Sequence, residues 1–153
     1  MPLPTTLKNR TIQNMWRSTT KAAALLTSTD DPLFTISGGR VIMTHFVGEF
    51  TTVHSSSANS CRIKMNPTTG ADINLSGTVQ LNALGPIGML LYLPGDFGDN
   101  LELGNVAQGM STAGFILPIG DLEVECSGSP SEGKVKWFMN WIPLDQGASV
   151  ASA

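Results

Sequence analysis

Two histidines, His45 and His54, stand in one stretch of this chain with Glu49 between them. A clustered histidine pair with a carboxylate is a ligand set that can hold a catalytic metal. Here His45 and Glu49 share one strand face about two strand repeats apart. No further ligand type stands at a suitable spacing, so chance placement is favoured. Asp96, Asp99, Asn100 and Glu102 bring oxygen ligands to a density that would suit calcium, but their spacing fits no calcium loop and a solvated loop is the better reading. Asp121, Glu123 and Glu125 form an acidic stripe. It reads as the solvent side of an edge strand, with a surface for a partner's basic groups as the alternative. Trp137 and Trp141 could make a sugar platform, yet Val135 and Met139 in the same register favour a core stripe. No nucleophile elbow is present, and Gly38-Gly39 lacks the residues of a phosphate loop. The chain is therefore read as not an enzyme, with no catalytic, cofactor or metal residue assigned.

The elements that carry these residues read as short strands between Gly, Pro, Ser and Asn turns. Ala22 to Thr29 is a first strand, and Asp30-Asp31-Pro32 a turn. Leu33 to Ile36 follows. Arg40 to Val53 is the longest strand signal and is partly apolar on both faces, which predicts a strand that is central or crosses between sheets, with Gly48 marking a bulge or bend. Cys61 to Asn66 alternates, with Arg62 and Lys64 outward. Asp72 to Asn82 alternates over its whole length, with Ile73, Leu75, Val79 and Leu81 inward. Residues 94–113 are strand-poor and read as a long functional loop. Asp121 to Cys126 and Lys134 to Ile142 close the series. Cys61 and Cys126 each alternate with apolar partners and are expected as buried thiols rather than a disulfide. The fold class is all-β, a jelly-roll-like sandwich or barrel of about eight strands. Its parts are an extended arm over 1–21, a β-sandwich domain over 22–147 and a tail over 148–153.

Charge divides the same way. Residues 1–29 hold Lys8, Arg10, Arg17 and Lys21 and no acid, whereas residues 30–153 hold five basic and twelve acidic residues. Only 14% of the 153 residues are charged, well under the usual ~25%, which suits a surface that meets other protein. A pI near 5.2 argues against a nucleic-acid partner. The start of the chain lacks the pattern of a signal peptide, and no run approaches the ~18 apolar residues of a membrane span. Synthesis in a cytoplasm, with no membrane partner, is the expectation.

The segment Ser28 to Phe34 with Gly38-Gly39-Arg40-Val41, and the ending Val135-Lys136-Trp137 with Pro143-Leu144-Asp145-Gln146-Gly147-Ala148, resemble small proteins encoded near the capsid genes of tailed bacteriophages. Such proteins are often head decoration, or cement, proteins, and the resemblance spans most of residues 22–150. It implies a structural protein on the capsid exterior of the virion, made in the host cytoplasm. Its implied partners are the major capsid protein and copies of itself, as a dimer or trimer. It carries no catalytic residue or cofactor over. The residues nominated for partner binding are Lys8, Arg10, Trp16, Arg17 and Lys21. Another virion component, such as a tail or head-fibre part, and a carbohydrate-binding β module are the alternatives.

Overall fold

The structure, a computed structural model, describes residues 16–27, 30–54, 59–81, 86–93, 98–104, 114–128 and 133–153. Among the described residues twelve strands follow one another: β1 (Arg17–Leu25), β2 (Asp31–Ser37), β3 (Val41–Phe50), β4 (Ser60–Pro67), β5 (Ile73–Asn74), β6 (Val79–Gln80), β7 (Leu90–Tyr92), β8 (Glu102–Gly104), β9 (Phe115–Leu117), β10 (Gly120–Cys126), β11 (Lys134–Pro143) and β12 (Ser149–Ser152). They make two six-stranded antiparallel sheets. The first runs β1-β11-β3-β7-β8, with β9 also on β3. The second runs β12-β2-β10-β4-β5, with β6 also on β4. The fold is all-β, as the alternation predicts, and of the sandwich and barrel it left open it is the sandwich; the strands outnumber the expected eight because several are only two or three residues long.

The core comes from one face of each strand. Val135, Trp137, Met139 and Trp141 of β11 are all buried, as are Phe46 and Phe50 of β3 and Phe34 and Ile36 of β2. The Phe46 ring stacks on Trp137 at 5.1 Å and meets Phe34 of the other sheet edge-on at 6.2 Å. The central place expected for β3 holds, since it pairs with β11, β7 and β9. Gly48 does not mark a bulge. It pairs in register with Trp137, and an added Cβ would lie 2.7 Å from that indole ring. The glycine makes room for the largest core side chain. The bulge sits at Thr44, where the register slips by one residue and the Thr44 hydroxyl donates to the Asn140 carbonyl at 3.1 Å.

Four other expectations change. The alternating run Asp72 to Asn82 is not one strand but two short ones, β5 and β6. The Ser76 side chain accepts from the Ile63 N–H at 2.9 Å, and Gly77 bridges to Asn100 instead of β4. Side-chain competition for backbone groups breaks the ladder there. Leu75 and Leu81 still reach the core, but Ile73 is exposed. β1 begins at Arg17, inside the span read as an arm, because its residues pair with β11 from Arg17 onward. The span read as a tail holds β12, which pairs with β2. The cysteines are not thiols: Cys61 and Cys126 form a disulfide. They are directly opposed in the β4–β10 register with Cα atoms 4.2 Å apart, close enough to bridge without moving the backbone.

Candidate interaction surface

The nominated residues that the structure describes gather along one side of the sandwich. Trp16, Arg17 and Lys21 lie on or beside β1, the outermost strand of the first sheet; Lys8 and Arg10 lie outside the described residues. Alternation sends them to different places. Arg17 lies opposite Trp141, with its guanidinium carbon 5.2 Å from that ring. Lys21 donates to the Ala153 carbonyl at 2.6 Å. The Trp141 indole N–H donates to the Thr19 hydroxyl at 3.0 Å, and that hydroxyl donates to the Val150 carbonyl at 3.3 Å. These bonds close the sandwich between its outer strands β1 and β12. Arg17 and Lys21 therefore hold the fold at this side as well as presenting charge.

Trp16 points the other way. It is 48% exposed and its ring centre lies 6.3 Å from that of His45, on the outer face of the first sheet. The strand registers extend this into a pattern. Ile142, Ile42 and Ile116 stand opposite one another across β11, β3 and β9, and the position opposite Ile142 on the first strand's line is that of Trp16. Ile116 is 59% exposed. A second line, Thr20, Phe138, Val47 and Tyr92, crosses β1, β11, β3 and β7. Ser18, Asn140 and His45 lie between the two lines. Charge enters mainly at one border, where Lys136 opposes Glu49 and lays its ammonium 4.8 Å from the centre of the Phe138 ring. The Tyr92 hydroxyl donates to Glu102 of β8.

The outer face of the second sheet has the opposite character. β10 is not an edge strand, since β2 and β4 flank it, and its acidic stripe is answered by neighbours. Asp121 accepts from the Thr35 hydroxyl at 2.6 Å, and Glu125 pairs with Arg62 at 2.7 Å. The Lys64 ammonium lies 2.6 Å from Asp30, 3.1 Å from Asp72 and 3.5 Å from Glu123. Burial by itself would lower the Lys64 pKa; hydrogen bonds and charge from Asp30 and Asp72 outweigh it and raise it above the ordinary lysine range. Glu123 is as buried as Lys64, and its other oxygen accepts from the Asn66 amide at 3.1 Å. The contact at 3.5 Å is an ion pair too long to be a strong hydrogen bond.

The remaining candidates from the sequence separate. His45 lies on the outer face, while His54 is fully buried with its ring edge-on to Phe50 at 5.8 Å. Trp137 and Trp141 are in the core and offer no sugar platform. Asp96 lies outside the described residues, and Glu102 is taken by Tyr92. Where β1 shifts register between Lys21 and Ala24, a cleft of about 560 Å³ opens between β1 and β2, walled by Ala23, Ala24, Leu26, Pro32 and Trp137.

The two stretches that carry the resemblance meet in space. Arg40 donates to Asp145 through Nε and Nη2, both at 2.9 Å, and through its backbone N–H at 2.8 Å. An added Cβ on Gly38, whose φ is +71°, would lie 2.2 Å from the Gly147 carbonyl oxygen. These motif residues stitch the start of β3 to the connection between β11 and β12; they are structural. The side-chain and backbone hydrogen bonds from Arg40 hold the Asp145 carboxyl at about 2, against an upward push from burial. A depressed carboxyl pKa means that its contribution is complete above the ordinary aspartate value and is lost as pH falls through about 2. Asp145→Asn is expected to weaken the protein at neutral pH by a small amount and to flatten the stability change between pH 4 and 2. Acid titration of both proteins by circular dichroism checks it; an unchanged acid limb would leave the stitch without this role. The chain matches no family model, no curated protein and no solved structure.

Proposed function

We propose that this chain is a virion structural protein that binds the outside of a phage capsid and stabilises the shell by bridging major coat protein subunits. The observation that carries the reading is the asymmetry of the sandwich. One outer face is ionically self-satisfied. The other is largely uncharged and aromatic, and it joins a basic N-terminal segment at Trp16. Scattered apolar residues are normal on a surface, but a line of them across neighbouring strands marks a contact surface. The resemblance of the two stitched segments to capsid decoration proteins supplies the partner. Burial of Trp137 and Trp141 removes the feature that favoured a carbohydrate-binding module.

The test is to titrate purified protein onto heads lacking it and to measure occupancy and the temperature of genome release. Binding near the copy number of the coat protein, with release at a higher temperature, is the expected result. Trp16→Ala should weaken attachment by roughly 2 kcal/mol, as a half-exposed aromatic anchor at an interface would. Lys8→Ala should cost about 0–1 kcal/mol and less at high salt. Saturation at only a few copies per particle would favour a tail or fibre part, and no binding would end the reading.

A further inference from the structure

We infer that the Cys61–Cys126 disulfide is a gated redox staple: thiols reach it only when a polar clamp at the end of the β4–β10 ladder opens. The clamp is Asn59 and Ser60 at the start of β4, with Ser127 and Gly128 just past the end of β10. The device belongs to the fold and holds whatever the chain binds.

Three observations carry it. The first is burial. Cys61 is fully buried, Cys126 is 3% exposed, and both belong to the same core cluster as Ile63 and Val124. Exchange requires a thiolate to attack one of the two sulfurs directly. Sulfurs this deep offer no approach from solvent while the fold is closed.

The second is position. Cys61–Cys126 is the last pair of the β4–β10 register. On one side of it the ladder is firmly held. Arg62 lies opposite Glu125 with an ion pair at 2.7 Å, and Lys64 lies opposite Glu123. On the other side β10 has ended. The β2–β10 register stops at Val124, so among the described strands Cys126 pairs with β4 alone. The far edge of β4 carries only the two-residue β6 here, with Val79 opposite Cys61. The end of a ladder opens at a lower free energy than its middle.

The third is the clamp itself. The Ser127 N–H donates to the Ser60 carbonyl at 2.9 Å, and the Ser60 N–H donates to the Ser127 hydroxyl at 3.0 Å. The Ser60 hydroxyl donates to the same oxygen at 3.0 Å. The Gly128 N–H donates to the side-chain carbonyl of Asn59 at 2.9 Å. Asn59 is 1% exposed, and its backbone carbonyl accepts from the Leu81 N–H at 2.6 Å. These bonds close the ladder one step past the sulfurs. Breaking them uncovers the disulfide and leaves the first sheet intact.

The exchange is balanced with a dithiol such as dithiothreitol. A reagent thiolate attacks one cystine sulfur, and the other sulfur leaves as a thiolate and takes up a proton. The second thiol of the reagent then displaces the mixed disulfide. Two electrons pass to the protein, which gains two thiols, and the reagent departs as a cyclic disulfide. Oxidised glutathione runs the reverse on the dithiol protein and is reduced to two glutathione thiols. Both directions pass through the gate. A staple once closed persists among thiols while the clamp holds, and a chain folded with free thiols closes it only on opening.

The test is the rate at which dithiothreitol reduces the folded protein, with iodoacetamide as quench and alkylated cysteines counted by intact mass. Reduction in buffer should be at least about 100-fold slower than in denaturing urea. Asn59→Ala removes the acceptor of the Gly128 N–H and should speed reduction in buffer about tenfold. Ser127→Ala changes an exposed residue, keeps the fold, and should speed it about threefold. Ile36→Val is the remote control. Ile36 is buried in β2 opposite Gly120, at the other end of β10 from Cys126. It should lower stability in urea unfolding and leave the reduction rate unchanged. Equal rates in buffer and in urea would show the sulfurs open to solvent and would overturn the gate. A rate that rises for Ile36→Val by the same factor as its unfolding equilibrium would overturn it too, because exchange would then need global unfolding. If Asn59→Ala does not fold, Ser127→Ala decides, and an unchanged rate in that variant means that the clamp is not the gate.

Discussion

Lys64→Met should be among the most damaging single substitutions of a charged residue in this protein, costing about 3–5 kcal/mol. The Lys64 side chain is 8% exposed and its ammonium faces three carboxylates. Asp30 and Asp72 are nearly half exposed, at 46% and 49%, and water can solvate them when the lysine is gone. Glu123 is 8% exposed and cannot be solvated in the same way. The loss is the cost of one uncompensated buried carboxylate. Lys64→Met with Glu123→Gln should therefore recover most of the stability, since the glutamine still accepts from Asn66. A single substitution that costs under 1 kcal/mol in urea unfolding, or a double variant no better than Lys64→Met, would rule this out. The pH dependence follows from the raised lysine pKa. A raised pKa gives a contribution that is complete below the ordinary lysine value of 10.5 and is lost only as pH climbs through the higher folded value. The difference between Lys64→Met and the unmodified protein should stay level from pH 7 to 10.

Loss of the disulfide should have an effect of similar size. Cys61 and Cys126 close a loop of 65 residues, and the chain-entropy model puts the stabilisation from a loop of that length at about 4 kcal/mol. In a chain of this size that corresponds to roughly 10 °C of melting temperature. The variant with both Cys61→Ala and Cys126→Ala, and the unmodified protein under reductant, should melt lower by the same amount. Equal melting with and without reductant would count against it. The bond lies between two central strands of the second sheet, so its loss should loosen β4 against β10 and with it the Lys64 cluster. Disulfides persist in oxidising surroundings, virion surfaces among them. The proposed exterior position suits such a bond, and cytoplasmic synthesis would require the fold to form first with free thiols.

Period-two alternation was enough to show an all-β fold of short strands, because a strand with one buried face must repeat every second residue; that the strands form a two-sheet sandwich and not a barrel came from the sheet order. It correctly set Val135, Trp137, Met139 and Trp141 inward and Arg62 and Lys64 outward. It failed between Asp72 and Asn82, where the pattern continues but Ser76 and Gly77 spend their hydrogen-bonding groups elsewhere. It also failed at the start, since the residues from Arg17 to Lys21 show no apolar period: a strand at a sheet edge buries little and needs none.

What the sequence determined by itself was local: strand or turn, inward or outward, and the uneven placement of charge. These follow from backbone geometry and side-chain polarity within a few residues. Which strand lies beside which was decided only by the tertiary structure. Register across strands far apart in the chain set Cys61 against Cys126, Lys64 against Glu123, and Ile142 against Ile42 and Ile116. Each of these residues looks unremarkable in its own segment. A disulfide, an ion cluster and an apolar ridge appear only when the sheets bring them within about 5 Å of one another, and that proximity is a property of the whole core.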